Sequence, residues 1–98
     1  MNITNFHKNP LFDLGQTVAT SGAIEALQQP GISAASLLGR HQTGDWGDVC
    51  EEDKAENNYA LRHGCRIFSS YQITETTKIW VITEADRSVT TLLLPEEY

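Results

Sequence analysis

The feature that most constrains this chain is a change of hydrophobic period at Gly64. Before it, residues 48–63 carry a helical charge order: Asp48, Glu51 and Glu52 at the start, Arg62 and His63 at the end. Acids near a helix N-terminus and bases near its C-terminus oppose the helix dipole, and a glycine just beyond is a common stop. After Gly64 the apolar residues alternate, the period of a strand with one buried face. Residues 66–73 place Ile67, Tyr71 and Ile73 on one face. Residues 78–83 are β-branched and aromatic, and 88–94 form a third such run closed by Pro95, leaving Glu96, Glu97 and Tyr98 as a short tail. The links at 74–77 and 84–87 are short, so the three strands read as an antiparallel meander.

Upstream, residues 1–10 read as a mobile arm ending at Pro10, and 11–19 as a short strand around Gly15. Thr20 or Ser21 caps a helix over 22–29, because a hydroxyl accepts from first-turn amides, and Pro30-Gly31 stops it. Ser33 caps a second helix, 34–41, with Ala34, Leu37, Leu38 and His41 on one face. The expected fold is therefore α+β and two-layered: an N-terminal strand, three helices, then a three-stranded antiparallel meander. The helices cover one sheet face and the first strand joins an edge. With 98 residues, 40% of them apolar, the chain makes a single domain, 1–98.

Charge and composition narrow the partners. The net charge is −6 and the seven Lys and Arg residues are scattered, which argues against direct nucleic-acid binding, where clustered cations must neutralise phosphates. A protein partner or a second copy fits better. No run approaches the ~18 apolar residues of a membrane span, and the first ten residues lack a secretory pattern, so a cytoplasmic location without membrane contact is expected. Cys50 and Cys65 follow no metal or redox spacing and read as small, buried, reduced thiols. No cofactor is expected, since Gly44, Gly47 and Gly64 fit no phosphate-binding fingerprint. Ser69-Ser70 and Ser88 lack the strained elbow of a serine nucleophile. The helix pair at 21–41 superficially resembles a helix-turn-helix, but its second helix offers only Arg40 as a cation and reads as a hairpin packed on the sheet.

Candidate chemistry concentrates between Arg40 and Glu56. His41, Asp45 and Asp48, with Asp53 in reserve, are residue types that hold a divalent metal or share a proton in a small hydrolase. Simpler roles compete: Asp48 as an N-cap accepting from Cys50 or Glu51, and Asp45 as a turn former before Trp46-Gly47. Trp46 either plugs the gap between helices and sheet or offers its face to a partner. Trp46, Cys50, Asp53, Asn57 and Leu61 follow helical steps, so Asn57 should bond a neighbouring backbone and Asp53 should pair with Arg66 or Arg87. Trp80 is out of phase with Ile79 and Val81, and only one of those faces can look at the helices. Either Trp80 or the Ile79/Val81 pair therefore lies outside; an outer face bearing Trp80 and Ile82 would be suited to interaction or dimerisation. Glu51, Glu52, Lys54, Glu56 and Arg62 form a solvated outer face, which alternatively mimics a phosphate backbone to inhibit a nucleic-acid enzyme. The preferred reading is a non-enzymatic interaction module using Asp45, Trp46, Asp48 and Trp80.

Three segments, Gly-Asp-Trp-Gly-Asp at 44–48, Ile-Trp-Val-Ile-Thr-Glu-Ala-Asp-Arg-Ser at 79–88 and Leu-Leu-Leu-Pro-Glu-Glu-Tyr at 92–98, carry a resemblance. The chain resembles a small bacterial family labelled plasmid-related protein, sometimes named type I restriction endonuclease subunit M. The resemblance implies a mobile-element context and no catalytic residues. The methyltransferase label finds no Asn-Pro-Pro-Tyr/Phe motif and no glycine-rich cofactor loop.

Overall fold

The computed structural model describes residues 9–98, so most of the arm expected at 1–10 lies outside the described residues. The chain runs β1 (Gln16–Ala19), α1 (Ser21–Gln28), α2 (Ala34–Gln42), α3 (Glu51–His63), β2 (Ile67–Gln72), β3 (Lys78–Thr83) and β4 (Val89–Leu93), then a 3₁₀ turn over Pro95–Glu97. It is an α+β fold with three helices and a four-stranded mixed sheet, ordered β1-β4-β3-β2. β2, β3 and β4 are antiparallel neighbours, whereas β1 lies parallel to β4, so the sheet is not the purely antiparallel one expected. β1 is also shorter than the strand expected over 11–19. Its direction follows from the Gln16 and Thr20 N–H groups, which donate to Ser88 O and Leu92 O at 2.9 and 3.0 Å.

Local caps explain the first two helices. Thr20 Oγ1 accepts from Ala23 N–H, and Ser33 Oγ accepts from Ser36 N–H. Ala23, Leu27 and Leu37 then bury against Tyr71, Ile79, Val81 and Leu92, the sheet face that alternation selects. α3 starts at Glu51, with Cys50 in the cap position and no side-chain cap bond; Asp48 is not the cap. Its orphan N-terminal amides are served instead by the field of Glu51, Glu52 and Asp53 in the first turn. Both cysteines are free and exposed, contrary to the buried thiols expected. Cys50 is turned outward because the cap position leaves the helix before its buried stripe begins.

α3 packs along β2 and closes that edge of the sheet. Asn57, 2% exposed, donates from Nδ2 to Phe68 O (2.7 Å) and accepts at Oδ1 from Phe68 N–H (3.0 Å). One amide side chain thus replaces a missing strand, and the expected bond to a neighbouring backbone is present. Two residues on, Ser70 N–H donates to Trp46 O (3.0 Å) and Asp48 N–H donates to Ser70 O (2.7 Å). Asn57→Ala leaves both Phe68 backbone groups unpaired in a partly buried place, and it should cost about 2–3 kcal/mol. Urea unfolding reads that loss, and faster hydrogen exchange at the Phe68 amide locates it.

The far end of α3 is tied by Arg87, which takes left-handed backbone geometry (φ 62°) in the β3–β4 turn. Its guanidinium donates to the carbonyls of Cys65 (2.6 Å), Ala60 (2.9 Å), Ala85 (3.0 Å) and Glu84 (3.1 Å). The ion pair expected between Asp53 and Arg66 or Arg87 is absent from these contacts, because helix-end carbonyls take the Arg87 charge. The C-terminal residues are docked rather than a loose tail. Glu97 Oε1 accepts from Thr20 Oγ1 (2.6 Å) and Leu94 N–H (2.8 Å), which together hold its carboxyl below the usual range.

Candidate functional site

His41 is fully buried on the inward face of α2, and both ring nitrogens are engaged. Nδ1 lies 2.6 Å from Ser69 Oγ and Nε2 lies 2.9 Å from Thr83 Oγ1. Thr83 Oγ1 lies 2.6 Å from Thr90 Oγ1, and Thr90 donates to Leu14 O at 2.7 Å. That last bond fixes the protons from Thr90 back to His41 Nε2. Leu14 O can only accept, so Thr90 spends its hydrogen there and accepts from Thr83. Thr83 then accepts from His41 Nε2–H, and in the neutral ring Nδ1 is left to accept from Ser69. The imidazole is neutral, its pKa lowered to about 4 by burial and, secondarily, by the charge of Arg87.

This row has the look of proton-transfer machinery, since a serine hydroxyl donates to a neutral imidazole. Its surroundings remove that use. Ser69 is fully buried and the row ends on a backbone carbonyl, not on a carboxylate able to stabilise imidazolium. The Phe12 and Trp46 rings close over the imidazole edge-on, with centroids at 5.2 and 6.0 Å. The row therefore satisfies polar groups inside the core and specifies how α2 seats on the sheet.

The loop that follows α2 holds the remaining candidates. Asp45 pairs with Arg40 (Oδ2 to Nε 2.7 Å, Oδ1 to the guanidinium 3.3 Å), and Oδ1 also accepts from Gly47 N–H (3.2 Å) as in an Asx turn. The Arg40 charge sits 4.4 Å above the Tyr71 ring, while Tyr71 Oη donates to Asp45 O at 2.6 Å. Burial pushes the Tyr71 phenol up to about 12, so it stays a donor. Trp46 is 7% exposed and packs with Val49, Ala60 and Ile67. Gly47 has φ +74° and pairs as a parallel bridge with Ser70. Asp48 and Asp53 remain on the solvent side of this arrangement, Asp48 exposed and Asp53 half-exposed. His41, Asp45 and Asp48 are thus neighbours in sequence without facing one centre. Among the described residues, no group of three or more His, Cys, Asp or Glu residues is placed to hold a metal ion.

Trp80 lies on the sheet face away from α1 and α2. Register places Gly47, Ser70, Trp80 and Leu93 in one row across it. The Trp80 ring meets Phe68 and Tyr98 edge-on, at 5.0 and 5.7 Å. Arg66 lies 5.4 Å over the Tyr98 ring and donates to its hydroxyl. Ile82 is only 5% exposed, so the outer patch expected at Trp80 and Ile82 is centred instead on half-buried Trp80 and on Tyr98, 65% exposed. No family model, curated protein or solved structure matches this chain. The site rests on its own geometry.

Sequence reasoning missed three members of this face. Phe68 was legible, being out of phase with Ile67 and Tyr71 just as Trp80 is with Ile79 and Val81. Arg66 and Tyr98 carried no local signal, because only the C-terminal turn brings the tyrosine over the sheet. A further open groove of about 1080 Å³ lies beside α1 and the β2–β3 turn, lined by Glu25, Gln72, Lys78 and Glu96 among others. Its ionisable groups form no such metal-holding cluster. No helix among the described residues is long and apolar enough to cross a membrane.

Proposed function

We propose that this chain is a non-enzymatic interaction module that binds another protein through the outer face of its sheet. One observation carries the reading: Phe68, Trp80, Tyr98 and Arg66 form a connected aromatic-and-arginine surface on the face the first two helices leave uncovered. Tryptophan, tyrosine and arginine dominate binding energy at protein interfaces, because they combine large apolar area with a polar group. Asp45 and Asp48 lie in the loop bridged to β2, at the end of the Trp80 row; exposed Asp48 supplies the acidic rim, while Asp45, paired with Arg40, shapes the loop. Trp46 acts beneath them as the anchor that fixes the loop. The fitting partner has an apolar centre and a basic border. The resemblance to plasmid-related proteins supports a role in a mobile element, such as plasmid maintenance, defence or counter-defence.

The test is capture of partners by the tagged chain from nuclease-treated extract of its native host, beside Tyr98→Ala and Trp80→Ala. Tyr98→Ala removes an exposed ring and should leave the circular dichroism spectrum unchanged while losing a stoichiometric partner. Trp80→Ala should also lose it, with about 2 kcal/mol of stability. A partner retained by both folded variants sinks the reading.

A further inference from the structure

The two edges of the sheet are treated differently. β2 is sealed by Asn57 and by the 46–48 backbone, whereas β1 pairs only with β4 among the described residues. Gln16 and Thr20 N–H groups point at β4, so alternation turns the N–H and C=O of Thr17 and Ala19 toward the open side. Soluble proteins guard such edges with lysine, proline, bulges or a covering element. The Gln-Thr-Val-Ala strand carries no charge and no proline, and its first three residues are exposed.

We propose that β1 is a homodimer interface, in which a second copy of this chain pairs antiparallel through the same strand to give one continuous eight-stranded sheet. The strand is self-complementary about Val18. A two-fold axis there sets Thr17 opposite Ala19 of the other copy and Ala19 opposite Thr17, each pair exchanging two backbone hydrogen bonds. The two Val18 side chains then face one another as a non-hydrogen-bonded pair, where side chains approach most closely. Val18, 39% exposed in the single chain, becomes covered by its own counterpart. A second copy is favoured over a basic partner because the strand itself is uncharged, although the chain as a whole carries −6. The interface is small, so the dimer is reversible and forms with concentration. This pairing is independent of the partner proposed for the outer face, and it would set two such faces side by side.

Sedimentation equilibrium of the full chain tests it. The mass should rise from one chain of 10.9 kDa toward two across the micromolar-to-millimolar range. Val18→Lys sets two like charges on the axis and should abolish the rise with an unchanged unfolding midpoint. Val18→Cys, with Cys50 and Cys65 replaced by serine, should cross-link into a covalent dimer on mild oxidation, whereas Gln16→Cys in that background should not. Tyr98→Ala should dimerise normally, which separates this edge from the outer face. A full chain that stays monomeric at millimolar concentration overturns the proposal. So does a dimer that survives Val18→Lys, or one lost with Tyr98→Ala.

Discussion

His41→Leu should lower stability by about 2–4 kcal/mol at pH 7, and the difference from wild type should nearly vanish at pH 4. The first part follows from the proton order of the buried row. Leucine fills much of the imidazole volume but cannot accept from Ser69, whose O–H loses its 2.6 Å acceptor and keeps only the Tyr71 hydroxyl as a side-chain neighbour. A buried donor that loses its best acceptor costs about 1–3 kcal/mol, and imperfect packing adds to it. Thr83 loses less, because its own hydrogen still goes to Thr90. Ser69→Ala in the His41→Leu background should therefore recover part of the loss, and a double-mutant cycle in urea measures the coupling.

The pH dependence has a definite sign. The folded-state pKa of His41 is about 4, below the unfolded value of 6.5, so the unfolded chain takes up the proton first. Neutral burial contributes its full stability above pH 6.5, and that contribution falls as the pH drops through 6.5 toward 4. The slope is about 1.4 kcal/mol per pH unit, so about 3 kcal/mol is lost across the window. His41→Leu lacks this component. The carboxylates titrate in both proteins and cancel in the comparison. Parallel stability curves for the two proteins from pH 7 to pH 4 would contradict the buried neutral assignment.

The second large effect is expected at Gly47. A Cβ there would lie 2.1 Å from Ser70 O and 2.7 Å from the Tyr71 ring, on a residue at φ +74°. Left-handed geometry alone costs an ordinary residue about 1–2 kcal/mol. The collision is with backbone and a buried ring, so the loop must leave β2 and break the bonds that Trp46 and Asp48 make with Ser70. Gly47→Ala should cost about 3–4 kcal/mol and expose Trp46, shifting its fluorescence to the red. Gly31 is the control: it has φ +67° but nothing within 4 Å of an added Cβ, so Gly31→Ala should cost only the backbone part. Equal losses at the two glycines would show that the loop is not held against β2.

What the sequence made legible is what local chemistry decides. The change of period at Gly64, the hydroxyl caps at Thr20 and Ser33 and the alternation in β2 to β4 are each set within a few residues. Apart from the exposed cysteines, the main misreadings involve contacts made far along the chain. Asp48 has the chemistry of a helix cap, but its backbone is recruited by Ser70, and that pairing draws the helix start on to Glu51. β1 is too short and too polar to announce its neighbour, and its parallel place beside β4 depends on a strand about 70 residues later, beyond all three helices. His41 was visible as a histidine on an apolar face. Its partners Ser69, Thr83 and Thr90 were not, because each is an ordinary strand residue until the register brings them into one row. The outer face was half legible: phase marked Trp80, and the docked Tyr98 required the fold.

His41, the candidate whose chemistry best suits proton transfer, is spent inside the core as a neutral ring. Long-range nitrogen–proton NMR of the His41 imidazole tests it most directly. The ring should be neutral and protonated on Nε2, titrating near pH 4 and unmoved by zinc, manganese or magnesium. A ring that titrates near 6.5, carries its proton on Nδ1, or shifts with added metal would contradict it and return His41 to a working site.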